Sequence, residues 1–97
     1  MDEHYELKGI SFVWDGTKAQ RNLSKHGVAF EQAAEVFFDP FLRVSDASAD
    51  EEAREAVVGM DEAWNLLYVV HVVIEQSRIR IVSARKATRR ERQWYED

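Results

Sequence analysis

The sequence predicts an α+β fold: a compact, mostly antiparallel sheet, entered by an N-terminal strand and two helices and closed by a C-terminal helix. Three observations predict it. Phe30, Ala33, Ala34, Phe37 and Phe38 fall at i, i+3, i+4, i+7 and i+8, the spacing of one buried helical stripe. Leu66 to Ile74 is an apolar run interrupted only by His71, bounded by turn residues and rich in β-branched side chains. Helical patterns come first and strand patterns follow, which is not the alternation that builds a parallel sheet.

The elements follow in order. Tyr5 to Trp14 carries β-favoured residues and reads as a strand. Asp15 can cap a helix running from about Gly16 to Lys25, with Ala19 and Leu23 as its buried stripe. Gly27 suits the left-handed position that ends a helix. Lys25 and His26 then lie in the last turn, where unpaired carbonyls favour cations. A second helix starts near Phe30 and stops at Asp39-Pro40, because proline disfavours helix at the residue before it. Phe41 to Ser45 reads as a short strand, followed by an acidic loop reaching Glu52. Ala53 to Met60 and Trp64 to Ile74 read as a strand pair around Asp61-Glu62-Ala63. The continuous apolar run makes the second of these a central strand, expected to be covered on both faces. A turn at Glu75-Gln76-Ser77 leads into a strand from Arg78 to Ala84. Thr88-Arg89-Arg90-Glu91 is a capping box that opens a last helix carrying Trp94 and Tyr95.

Composition narrows the function. A chain of 97 residues, 45% apolar and 32% charged, fits one globular domain over residues 1–97. There is no cysteine, which removes disulfides, thiol catalysis and thiolate metal sites. The apolar run falls far short of the ~20 residues that span a bilayer, and the acidic amino terminus is unlike a signal peptide. A cytoplasmic protein with no membrane partner is expected. The net charge of −5 hides an asymmetry: Arg78 to Arg92 carries +6, and Asp46 to Glu62 carries −6. A basic end can attract phosphates or an acidic partner. It reads equally as a solvated face whose arginine stems cover the core. The acidic stretch could fold over the basic end as a shield.

No nucleotide-binding glycine loop, serine-hydrolase elbow or metal-ligand spacing is present, and no cofactor or metal is expected. Two groups remain. Lys25-His26-Gly27 could bind a phosphate and move a proton, since histidine titrates near neutrality; from spacing alone it reads more simply as a charged helix end. The second group is arginine: Arg54 before one strand, Arg78 and Arg80 on one face of another, and Arg85 at its end. The planar guanidinium matches phosphate oxygens and keeps its charge. Cleaving RNA at its own 2′-hydroxyl needs only a base, an acid and stabilised charge on phosphorus, which fixed cations supply. Arg78 and Arg80 are expected to pair with the acidic loop or with a partner instead. His71, inside an apolar strand, reads more simply as a core residue than a catalyst. Trp14 and Trp94 could stack on bases, with Trp14 better explained as core.

Phe12-Val13-Trp14-Asp15, Lys18, Asn22, Lys25-His26-Gly27-Val28, Phe30 and Val36-Phe37-Phe38-Asp39-Pro40 resemble the opening of the BrnT family of type II toxins. Arg54 and Gly59, Leu67-Tyr68-Val69-Val70-His71, Ile79 to Ala87, Glu91 and Tyr95-Glu96 continue the similarity. The resemblance implies a small RelE-like ribonuclease that blocks translation. It also implies neutralisation by a BrnA-like antitoxin, whose DNA-binding domain brings the complex to its operon. Carried over residue by residue, the candidate site is Lys25, His26, Arg54, Ser83 and Arg85. Side-chain chemistry would have Lys25 and Arg85 hold the scissile phosphate and Arg54 meet developing charge. His26 would move a proton and Ser83 would orient its neighbours.

Three departures from the family stand out. About eleven residues precede Phe12 and could add an edge strand. Val72-Val73-Ile74-Glu75 replaces a more polar run. Ala29 replaces a helix-capping serine worth ~1 kcal/mol. The rival reading is a non-catalytic basic module acting in a DNA-binding repressor complex, with binding that weakens steeply with salt.

Overall fold

The computed structural model describes residues 1–48 and 53–97. The chain forms β1 (Asp2–Leu7), β2 (Ile10–Asp15), α1 (Gly16–His26) and α2 (Phe30–Glu35), which tightens into a 3-10 turn at Val36–Phe38. Then come β3 (Arg43–Asp46), β4 (Glu55–Met60), β5 (Leu66–Ile74), a turn at Glu75–Ser77, β6 (Arg78–Lys86) and α3 (Arg89–Glu96). The six strands lie in the order β1-β2-β6-β5-β4-β3. Every pairing is antiparallel except β2 with β6. The predicted α+β class and closing helix are therefore present. The end of the acidic loop, Ala49 to Glu52, lies outside the described residues.

Two expectations need correction at the start of the chain. The single strand over Tyr5 to Trp14 is a hairpin, β1 and β2, joined through Lys8 and Gly9, both at positive φ (51° and 82°). Such a two-residue turn matches the twist of the flanking strands. The residues before Phe12 thus do add an edge strand. On α1, Leu23 is not buried; it is 51% exposed, and Asn22 is the buried residue at 7%. The reason is a gap in the sheet. β2 pairs with β6 only at Ile79 and Arg80, so the rest of that β6 edge lacks a strand neighbour in β2. The Asn22 amide stands in for one. It accepts from the Ala84 N–H at 3.0 Å and donates to the Ala84 carbonyl at 2.8 Å.

The caps behave as the sequence implies. The Asp15 carboxylate accepts from Lys18 N–H, and Gly27 closes α1 at φ 71°. Ala29 caps α2 without a side-chain bond. The helical layer and the 3-10 turn press on one sheet face. Phe12, Trp14, Phe30, Ala33, Val57, Leu67, Val69 and Ile81 form the core there. At Gly59 a Cβ would come within 3.1 Å of the Val36 carbonyl, so glycine lets that turn sit against β4.

The second face is covered only in part, which corrects the expectation for β5. Leu67, Val69 and His71 are buried towards the helices, while Tyr68, Val70 and Val72 are half-buried on the other side. α3 returns towards β4: Tyr95 donates its hydroxyl to Asp39 at 2.5 Å, and Arg43 of β3 donates to the Asp97 carbonyl. Fully buried Ala56 and Val58 alternate with the core-facing side chains of β4 and so belong to this face.

Candidate nucleic-acid interface

Strand register decides which polar side chains share a face. On β6, plain alternation would place Arg80 and Ser83 on opposite faces, because side chains repeat every two residues. The pairing of β5 with β6 shifts register between Val70 and His71: Val70 faces Ser83, and His71 faces Ile81. Val82 is the extra residue, a bulge in the sense that it advances β6 by one. Arg80, Ser83 and Arg85 are thereby opposite Val72, Val70 and Tyr68, all on the half-covered face. Ile81 and Ala84 remain in the core.

Arg85 lies over the Tyr68 ring, its guanidinium carbon 4.2 Å from the centroid. It also grips Glu91 through two bonds of 2.8 Å. The hydrogen bond to Glu91 holds Arg85 above its usual pKa, and the same bond holds the Glu91 carboxyl below the usual carboxylate range. Glu91 in addition accepts from Thr88 N–H at 2.9 Å, completing the capping box of α3. Arg80 forks onto Asp2 of β1 at 2.8 and 3.2 Å, an acid of the first strand and not of the acidic loop, and Arg78 donates to the Glu75 carbonyl. The described part of the acidic stretch is engaged elsewhere. Asp46 accepts from Ser48, Asp61 is built into the β4–β5 turn, and Glu62 faces Lys8.

Arg54 precedes β4 and lines a hollow of about 480 Å³ with Ser45, Glu55, His71 and Val72. From the register, Arg54 and Arg85 are two strands and about four residues apart, roughly 15 Å between Cα atoms at ordinary strand spacings. Two arginines so placed would suit different phosphates of a bound strand rather than a single one. Lys25 and His26 end α1 on the helical layer, Lys25 exposed and His26 half-buried. They follow Asn22 by three and four residues, on the same side of the helix. Asn22 is fastened to Ala84, the residue between Ser83 and Arg85, so the end of α1 flanks that segment of β6. Trp14 is core, stacked edge-on against Phe30 at 5.7 Å. Tyr68 was missed in the sequence; its signal is its place directly opposite Arg85.

Among the described residues no group of three His, Cys, Asp or Glu side chains is gathered to hold a metal ion. No described helix is long and apolar enough to cross a membrane.

Two of the comparisons with known proteins find matches. Residues 14–91 match the family described as the ribonuclease toxin, BrnT, of type II toxin–antitoxin systems. Among solved structures, the chain is similar to the Brucella abortus ribonuclease toxin BrnT, known at 1.1 Å resolution. The TM-score is 0.62 and the identity 23%, over 78% of this chain and 94% of that one. That likeness speaks for the fold. The comparison with curated proteins gives no match. The family match covers most of the chain, from the end of β2 into α3, and the chain belongs to the BrnT family of ribonuclease toxins of type II toxin–antitoxin systems.

Proposed function

We propose that the chain is an endoribonuclease that cuts RNA by attack of a 2′-hydroxyl on the adjacent phosphate, without a metal, and thereby inhibits translation in the cytoplasm. A BrnA-like antitoxin neutralises it by direct binding, and DNA is met only through that antitoxin's DNA-binding domain. The observation that carries this reading is the β6 bulge. It turns Ser83 and Arg85 onto one face with Tyr68, in a chain of a ribonuclease toxin family. RNA lies along that face. Arg54 and Arg85 contact successive phosphates, and Tyr68 offers an aromatic surface under Arg85. Ser83 orients a phosphate between them. Lys25 and His26 approach from the flank of β6, Lys25 as a phosphate contact and His26 as a proton carrier.

Incubating purified protein with RNA in excess chelator tests this. The expected products end in 2′,3′-cyclic phosphate, and Arg54→Ala and Arg85→Ala each lower cleavage on the order of 100-fold, as removal of a charge-stabilising donor does. RNA left intact by the wild-type chain overturns the proposal. The non-catalytic reading has one observation in its favour, the capture of Arg85 by Glu91. Its signature is salt-sensitive RNA or DNA binding with no turnover.

A further inference from the structure

The ribonuclease reading gives His26 a proton-carrying place on the flank of β6 but leaves open which group takes the proton from the 2′-hydroxyl. We propose that Glu55 is that base and that His71 is its positioning residue, in the hollow beside Arg54. The inference rests on the ribonuclease reading.

His71 is the one buried polar residue of β5, and it is 3% exposed. The Phe37 ring meets it edge-on at 4.8 Å. Its Nε2 lies 3.4 Å from Glu55 Oε1, directly across the β4–β5 pairing. Its Nδ1 is buried with only the Val69 carbonyl nearby and no hydrogen bond of good geometry. A leucine would fill this place without the cost of an unsatisfied buried nitrogen. Packing therefore does not account for an imidazole here, whereas its contact with Glu55 does. Glu55 shares the helical side of the sheet with His71, but as the first residue of β4 it is more than half exposed at the rim of the hollow. Arg54, Ser48 and Val72 line the same hollow, so RNA meets Glu55 at the end of the strands and not on the face of Ser83 and Arg85. A carboxylate within reach of substrate, an imidazole behind it and a guanidinium beside it are the parts the reaction needs.

Burial holds His71 below its usual pKa, against the pull of Glu55 and the Val69 carbonyl. A neutral imidazole donates its Nε2–H to one Glu55 oxygen and leaves the other oxygen free to accept. The 2′-hydroxyl proton passes to that oxygen. The O2′–P bond forms, the P–O5′ bond breaks, and the departing 5′ oxygen takes a proton from water. Glu55 returns its proton to solvent, and Arg54 faces the charge that builds on the non-bridging oxygens. Among the described residues, the charged groups that share the hollow with His71 are Glu55 from β4, Arg54 and Asp46; the helical layer presents the Phe37 ring.

The test uses the full chain, a labelled RNA oligonucleotide and steady-state rates from pH 4 to 9, each variant first checked for folding by circular dichroism. Glu55→Gln should lower kcat by about 100-fold or more with little change in KM, the usual loss for a general base. His71→Leu keeps the core filled and should lower kcat about tenfold, moving the acid limb of the pH–rate profile. His71→Gln, which keeps an N–H donor, should recover part of that loss. A purely structural histidine would leave the pH profile of His71→Leu unchanged. Wild-type cleavage with Glu55→Gln within twofold of it overturns this assignment alone. Wild-type protein that leaves RNA intact overturns the ribonuclease reading and this assignment with it.

Discussion

Trp64 carries φ 65°, and its side chain is 81% exposed. A bulky residue in the left-handed region costs roughly 1–2 kcal/mol and persists only where its surroundings over-determine it. Here Asp61 does so. Buried in the β4–β5 turn, its carboxylate accepts from the N–H groups of Ala63 and Asn65 and from the side-chain amides of Asn65 and Gln32. Trp64 is thus pushed outward with little packing to lose. Trp64→Gly should raise stability by about 0.5–1 kcal/mol, the relieved strain less the entropy of glycine, readable as a higher urea midpoint. An unchanged or lower midpoint would show that the indole packs more than its exposure suggests. The same scale shows where sequence reading stopped. Ala19 and Leu23 at helical spacing suggested the buried stripe of α1, but Asn22 is inside. Its amide serves a sheet edge 62 residues away, and no local pattern announces that. The five-residue stripe from Phe30 to Phe38 was readable because its partners are simply the nearest apolar surfaces.

At the scale of elements, β6 and α3 act as one unit joined through Glu91. The carboxylate closes the capping box with Thr88 and clamps Arg85, so the start of the helix and the aim of the guanidinium are fixed together. Glu91→Gln should cost about 1–2 kcal/mol, a charge-assisted pair and part of a cap, with solvent at the half-buried Arg85 keeping the loss modest. The same change should tighten RNA binding, because Arg85 regains its full set of donors. A fluorescence-anisotropy titration at fixed salt reads the second effect, and weaker binding would mean that Glu91 serves chiefly to hold Arg85 in place. Element existence was legible along most of the chain from periodicity, turn residues and the capping box. The β1–β2 turn was not, because Lys8-Gly9 is a weaker hairpin signal than Asn-Gly or Asp-Gly. The shared face of Arg80, Ser83 and Arg85 was hidden for another reason: it depends on a one-residue bulge, a property of pairing and not of spacing.

For the whole molecule, titrating groups pull stability in two directions. Burial would raise the Asp39 carboxyl, but bonds from Met60 N–H, the Tyr95 hydroxyl and Phe41 N–H hold it below the usual carboxylate range. Burial acts likewise on Asp61, and the Gln32 and Asn65 donors outweigh it. Glu91 is lowered chiefly by Arg85. Each of these groups contributes stability above its unfolded pKa near 4 and loses it as pH falls through the lower, folded value. His71 is lowered by burial, so the unfolded chain binds its proton first. Its contribution is whole above about 6.5 and drains as pH falls below that. Tyr95 runs the opposite way. Burial and the Asp39 carboxylate push it up to about 12, so its contribution is present below pH 10 and is lost as pH rises from 10 towards 12. Stability should therefore form a plateau from about pH 7 to 9. On its acid side it should fall in two steps, one below about 6.5 and a steeper one below about 4. Tyr95→Phe removes the alkaline loss and also removes one support of Asp39, which ties α3 to the end of β4. Urea midpoints measured from pH 3 to 11 should show that variant falling less than wild type above pH 10 while starting from a lower plateau. Equal alkaline slopes would mean that the Tyr95–Asp39 bond does not hold in solution, and that α3 is kept in place by packing and the Glu91 clamp instead.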